Sequence, residues 1–199
     1  MNELSNHDHS RFLTRTNRRV GRTGNAGPKS AEENVNKGVL RNAVVIQMTW
    51  LGAPTVYYGD EAGVCGWTDP DNRRTYPWGR EDKGLIDFHR EMIKIHKNYE
   101  ALRTGSIHFL SGSYGFISFG RFNQKDKFVI GVNNNDREVT ADINSREIGI
   151  TDEDSLATLM VTTENGHNPE AVIYHTHSGI LKLTLGPFSS VVLKNIIRK

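Results

Sequence analysis

The chain holds a single cysteine, Cys65, among 199 residues, so an internal disulfide is excluded and nothing demands an oxidising compartment. Long apolar runs are missing as well: Gln47 and Thr49 interrupt the best candidate, and no stretch approaches the ~18 residues needed to span a bilayer. Charge of one sign is also lacking. With 25 basic against 23 acidic side chains, the net charge of +2 supplies no field to hold a polyanion. One local basic run exists, Arg11, Arg15, Arg18, Arg19 and Arg22. Only Phe12 interleaves with it and no recognition helix follows, so it reads as a solvated or substrate-lining loop. The opening MNELSNHDHS has neither the basic nor the apolar region of a secretory signal. From these absences no nucleic acid and no membrane is expected as a partner, and the expected location is cytoplasmic.

What is present is organised around residues 52–78, GAPTVYYGDEAGVCGWTDPDNRRTYPW. The β-branched and aromatic run at 54–58 predicts a short buried strand that empties into a long polar loop, and such loops are where sites are built. Upstream, Val35, Val39, Leu40, Ala43, Val44, Trp50 and Leu51 recur at three- and four-residue steps, broken only by Gln47. The spacing predicts an amphipathic helix over 31–51, started near Pro28 and Ser30 and ended by Gly52. Downstream, Leu85, Phe88, His89, Met92, Ile95, His96, Tyr99 and Leu102 predict a second helix over 85–102, closed by Gly105. Beyond Gly105 the period falls from about 3.6 to about 2, as in Val139, Ala141 and Ile143 or Leu181, Leu183 and Leu185. Turn clusters at 123–126, 133–136, Asn165-Gly166, Ser178-Gly179 and Gly186-Pro187 separate these runs, which predicts an antiparallel sandwich of about eight strands. The expected fold class is α/β plus all-β, with the boundary between 103 and 104.

Three groups of residues are candidates for chemistry. His7 and His9 flank Asp8 and would share a face on a strand, but no third metal ligand stands at suitable spacing; His175 and His177 alternate in the same way beside a turn. Neither a metal nor a cofactor is expected. An ionised acid such as Asp8, held beside His7, instead suits stabilisation of positive charge developing on a substrate. Asp69 and Arg73 stand four residues apart, so a single helical turn pairs them and presents acceptors and donors together, as polyol recognition needs. As a bare surface ion pair they are worth at most ~1 kcal/mol.

Taken together, SNHDHSRF resembles the loop after the seventh barrel strand of the α-amylase family of glycoside hydrolases. GAPTVYYGDEAG resembles that family's eighth strand and its following loop, and GVCGWTDPDNRRTYPW is similar to the neopullulanase, cyclomaltodextrinase and maltogenic amylase group. The motifs stand in the right order and the resemblance covers essentially the whole chain. It implies a C-terminal fragment of a (β/α)8 barrel in 1–103, holding the strand 7 loop, helix 7, strand 8 and helix 8, followed by an antiparallel β-sandwich in 104–199. It implies a retaining mechanism on α-1,4 and α-1,6 glucosidic bonds, by hydrolysis or transglycosylation, with an α-glucan oligosaccharide as ligand. Asp8 matches the carboxylate that stabilises the transition state and His7 the histidine at the −1 sugar. Asp69 and Arg73 match the acid and arginine that hold sugars further toward the non-reducing side. Tyr57 and Tyr58 are read as packing, and Glu61 as part of the post-strand loop rather than the acid/base.

In the family the nucleophile and the acid/base precede the NHD motif, and here only five residues stand before Asn6. The 199-residue chain is therefore expected to be inactive alone. The alternative from another class is a non-catalytic carbohydrate-binding or interaction module, drawing on Asp8, Asp69, Arg73 and exposed Trp67 and Trp78. The helices at 31–51 and 85–102 would normally pack on barrel strands, so self-association, pairing along an edge at 54–58, or mobility of 1–84 is expected.

Overall fold

The change of hydrophobic period near Gly105 is a change of architecture in the computed structural model, which describes residues 1–21 and 23–197: helices end at Arg103 and long strands begin at Ser106. Arg22, the last of the basic run, lies outside the described residues. The first half runs β1 (Asn2–Glu3), α1 (Phe12–Arg15), α2 (Thr23–Ala26), α3 (Lys37–Thr49), β2 (Pro54–Thr55), α4 (Lys83–Asn98) and α5 (Glu100–Arg103). β1 and β2 pair in parallel, with Asn2 opposite Pro54 and Glu3 opposite Thr55.

α3 is shorter at both ends than the periodicity predicts, and α4 starts two residues earlier and ends four residues sooner. Residues 29–32 form a 3₁₀ turn, Asn34 takes a left-handed conformation, and Asn36 caps α3 by accepting from the Val39 amide at 3.0 Å. The second helix begins at an Asp82 cap and breaks at extended Tyr99 before α5 resumes. Gln47, the polar interruption in the α3 stripe, donates to the carbonyls of Asn2 and Thr55 at 3.0 and 2.8 Å. It thus holds the two short strands from below. The strand expected at 54–58 stops after Thr55, because a side chain, not a neighbouring strand, takes up the carbonyl of Tyr58.

The second half contains β3 (Ser106–Ser113), β4 (Phe116–Phe122), β5 (Lys127–Asn133), β6 (Val139–Asn144), β7 (Asp154–Thr162), β8 (His167–Asn168), β9 (Ile173–His175), β10 (Ile180–Leu185) and β11 (Ser189–Ile197). Among the described residues these are nine strands, in line with the expected sandwich of about eight, β8 and β9 being two- and three-residue pieces added to β7. Seven form an antiparallel sheet in the order β3-β4-β5-β11-β7-β8, with β9 also on β7, while β6 and β10 form a separate antiparallel pair.

Both faces of the large sheet are buried. Phe119, Phe128, Ile130, Met160 and Val192 pack with Leu40, Val44, Met48, Leu85, Phe88 and Met92 of the helices. On the opposite face, Val129, Leu156, Val191 and Leu193 pack with Ile143, Leu181, Leu183 and Leu185 of the β6–β10 pair. The result is three layers, helices on sheet on hairpin. Burial on both faces explains why 128–132 reads as an almost unbroken apolar run. The large sheet thus covers one side of α3 and α4, a partner the sequence analysis did not expect. Among the described residues no helix is long and apolar enough to cross a membrane.

Arg121 on β4 joins the layers. Its side chain is fully buried, and it donates to Thr49 O at the end of α3 (2.6 Å), Gly105 O (3.0 Å) and Ser106 O (3.3 Å). Burial lowers its pKa, while the carbonyl end of α3 favours the cation. Arg121→Met strips three carbonyls of their partner inside the core. It is expected to lower the unfolding free energy by about 3 kcal/mol, read as a shift of the urea midpoint; an unchanged midpoint contradicts this role.

Candidate functional site

Two loops leave the same end of the parallel pair, 4–11 after β1 and 56–78 after β2, so side chains far apart in sequence meet there. The first loop is shaped by Asn6. Its Oδ1 accepts from the amides of Asp8 (2.9 Å) and His9 (3.1 Å), and its Nδ2 donates to Glu3 at 2.8 Å. This turn lifts His7 and Asp8 into solvent with Nε2 and Oδ1 3.3 Å apart, each side chain more than half exposed. His7 and His9 therefore sit in a turn, not on a strand, and His175 and His177 lie far off in the β-domain, on and after β9. Among the described residues no group of three His, Cys, Asp or Glu is arranged to hold a metal.

The two loops are stitched together by Arg11 and Asn72, both fully buried. The Arg11 guanidinium donates to Asn72 O (2.8 Å), Tyr58 O (2.6 Å) and the Asp60 carboxylate (3.1 Å), and lies 4.1 and 4.7 Å from the ring centres of Tyr57 and Tyr58. Tyr57 and Tyr58 are thus packing residues, as read. Asn72 reaches back to donate to His9 O (2.8 Å) and Asn6 O (3.3 Å). Backbone contacts complete the seam, from Arg11 N to Gly66 O at 2.9 Å and from Gly66 N to Thr14 Oγ1 at 2.8 Å. Gly66 has to be glycine, since a Cβ there would collide with the Asp71 carbonyl. Burial pushes the Asp60 carboxyl up to about 6, against hydrogen bonds from Ser5 and Arg11 that favour its ionised form.

Asp69 and Arg73 pair directly through Oδ1 and Nε, exposed, across a 3₁₀ turn at Asp71–Arg73 rather than a turn begun by Asp69. The bond to Asp69 raises the Arg73 pKa, and the charges of Tyr57 and Asp8 push it the same way. Asn72, inside the 3₁₀ turn that carries Arg73, donates to the carbonyls of Asn6 and His9, so the turn with Asp69 and Arg73 lies against the turn with His7 and Asp8. The neighbouring pair is structural. Asp71 accepts from Trp67 N at 2.7 Å and binds Arg74 through both oxygens at 2.9 Å, and Arg74 extends to Glu32 and Pro28 O at 2.6 Å each. Sequence spacing alone did not separate these two acid–arginine pairs, and it left Asn6, Arg11 and Asn72 without roles.

Trp67, expected to be exposed, is 2% exposed and donates its indole N–H to Ser30 Oγ at 3.0 Å, so it anchors the loop and faces no ligand. Trp78 is exposed. Burial pushes the Cys65 thiol up, away from the thiolate a nucleophile requires. The two turns thus expose carboxylates, a guanidinium and an imidazole, a mix of acceptors and donors that can hydrogen-bond a neutral, hydroxyl-rich molecule.

No protein-family model matches the chain. Amylopullulanase from Thermoanaerobacter thermohydrosulfuricus is 40% identical over 138 residues, which cover 64% of the chain and 9% of that protein. Neopullulanase 2 from Thermoactinomyces vulgaris is 31% identical over 199 residues, covering 98% of the chain and 29% of that protein. The chain thus spans under a third of the length of these relatives. The structure of an Anoxybacillus α-amylase superposes over 99% of the chain and 38% of its own length with a TM-score of 0.78 at 23% identity, a likeness of fold. By its homologues and its fold, a barrel fragment followed by an antiparallel β-sandwich, the chain belongs to the α-amylase family and corresponds to the C-terminal portion of its neopullulanase-like members.

Proposed function

We propose that the chain is the C-terminal part of a retaining glycoside hydrolase that hydrolyses or transfers α-1,4 and α-1,6 glucosidic bonds of α-glucan oligosaccharides in the cytoplasm. The observation that carries this reading is that the turn with His7 and Asp8 and the turn with Asp69 and Arg73 lie against each other at the ends of β1 and β2, joined through Asn72. Residues 1–103 contribute one wall of the barrel and 104–199 its supporting β-domain. Asp8 stabilises the cationic transition state, His7 holds the sugar beside it, and Asp69 with Arg73 holds sugars further along the chain of glucose units. A retaining reaction also needs a nucleophile and an acid/base about 5 to 5.5 Å apart, and in the family both precede the NHD motif. The 199-residue chain by itself is therefore inactive. The alternative, a non-catalytic sugar-binding or interaction module, loses Trp67 from the surface that motivated it.

A partner for the barrel side is the second half of this reading. β1 and β2 are two parallel strands with open outer edges, and an apolar groove of about 680 Å³ runs beside them, lined by Leu4, Phe12, Val39, Ile46, Trp50 and Ile117. In the isolated chain a second copy covers this groove.

Reducing-sugar release from maltotriose, cyclodextrin or pullulan by the purified chain is expected to stay at the blank; a rate well above it overturns the assignment of the bond-breaking carboxylates to other strands. Light scattering is expected to give the mass of a dimer or larger species, and Ile46→Lys to shift it toward the monomer. A monomer at all concentrations contradicts the self-association.

A further inference from the structure

We propose that the apolar groove between α3 and the large sheet is a docking site for an amphipathic helix whose following strand pairs with the outer edge of β1. The proposal rests on the reading above that this chain works as the C-terminal part of a longer enzyme, and it names the partner, a helix–strand segment of the barrel portion. α3 carries two apolar stripes. Leu40, Val44 and Met48 are buried in the core that the helices share with the β-domain. Val39, Ala43, Ile46 and Trp50 follow one another at steps of four, three and four residues, line the groove of about 680 Å³, and are half-buried or exposed. That spacing is the seam, repeating about every 3.5 residues, along which two helices pack at a shallow angle. Ala43, small and in the middle of the seam, lets a second backbone come close. Leu4, Phe12 and Ile117, each half-buried, form the other walls.

The two short strands say from which side the helix comes. β1 and β2 are parallel, and α3 lies in the crossover between them. Such crossovers are right-handed, so a further parallel strand at the outer edge of β1 reaches β1 through a helix on the same face as α3. That helix lands beside α3 on the β1 side, where Asn2, Glu3 and Leu4 line the groove. A hydrogen-bonding position is also left open there. Asn42, 3% exposed, lines the groove; its Nδ2 donates to Asn133 O at 2.9 Å, while its Oδ1 has no partner among the described residues. A buried acceptor without a donor is costly, and a donor carried by the helix satisfies it. The other polar groups beside the strands are committed, Gln47 to the carbonyls of Asn2 and Thr55, Asn2 Nδ2 to Leu51 O at 2.7 Å, and Glu3 to Asn6. The walls therefore leave a sugar few free groups to bind. They hold Glu3 and neither lysine nor arginine, which does not suit an anionic membrane surface. The second copy that covers the groove in the isolated chain stands in for this helix.

The test uses neopullulanase 2 from Thermoactinomyces vulgaris with this chain in place of its corresponding C-terminal segment, and with the photo-reactive residue benzoylphenylalanine in place of Trp50. Irradiation is expected to join position 50 to one segment of the preceding part, with apolar residues at three- and four-residue steps and a strand-type run directly after it, identified by mass spectrometry. Ile46→Lys is expected to cut the yield of this crosslink roughly tenfold or more, because a lysine carried into an apolar groove loses its hydration. In the isolated chain, diluted until it is monomeric, Ile46→Lys is expected to leave the urea midpoint unchanged, so a lost crosslink does not report a lost fold. Crosslinks to a second molecule, or spread over several segments, overturn the proposal. So do an unchanged yield with Ile46→Lys, a lowered midpoint in the isolated chain, and a chimera that stays unfolded while the isolated chain folds. The crosslink reads docking and not hydrolysis. A chimera that crosslinks as expected yet releases no sugar counts against the functional reading and leaves the docking site standing; one that hydrolyses without the crosslink does the reverse.

Discussion

A buried positive charge holds the candidate site together. Arg11 lies in the protein interior with no solvent to stabilise it, and its position is tolerable because Asp60, two carbonyls and two tyrosine faces surround it. Those partners belong to the loop after β2, whereas Arg11 belongs to the loop after β1. The strands beneath pair over only two residues each, too short a ladder to fix the loops above them. Register is supplied from below by Gln47 and from above by Arg11 and Asn72. Removing the guanidinium leaves Asp60 buried with a hydrogen bond from Ser5 but no opposing charge, a loss of about 3 kcal/mol concentrated on the loops that carry Asp8 and Arg73. The exposed groups of the site, each worth little as surface ion pairs, are placed by buried groups that carry the energy.

A second buried arginine makes that arrangement possible in a chain with so little barrel. Arg121 binds the end of α3 to the turn that begins the β-domain, and the large sheet lends its outer face to α3 and α4. A β-sheet normally offers one apolar face to its own sandwich. Here β5 and β11 offer two, so one side of each helix finds a core within this chain, while Val39, Ile46 and Trp50 line the open groove.

The elements most legible in the sequence were those with a long repeat. The stripes of α3 and α4 and the alternation of β6, β10 and β11 each extend over several periods, whereas the start expected at Pro28 and Ser30 was misplaced, since Asn36 caps α3. Legibility failed where tertiary contact overrode local pattern. β2 stops early because Arg11 takes the Tyr58 carbonyl, and Trp67 turns inward because Ser30 accepts its indole N–H. Asp71 and Arg74 look like Asp69 and Arg73 in sequence, yet one pair anchors a loop and the other faces water. Buried polar residues gave no signal by periodicity: Gln47 appeared as a flaw in a stripe, Arg11 as one of several loop arginines, and Asn72 as a turn residue. The motifs named the candidate residues; the side chains that hold their loops together became visible only in three dimensions.

The chemistry then divides between what this chain places and what other strands supply. In the proposed reading Asp8 faces charge developing on a sugar, Asp69 and Arg73 hold neighbouring hydroxyls, and bond breaking is assigned elsewhere. The direct measurement is hydrolysis of an α-glucan by a full-length relative in which this chain replaces the corresponding C-terminal segment. The account predicts that this chimera hydrolyses the glucan and that Asp8→Asn within it lowers kcat/KM roughly a hundredfold or more. A folded, hydrolysing chimera in which Asp8→Asn leaves kcat/KM unchanged contradicts it.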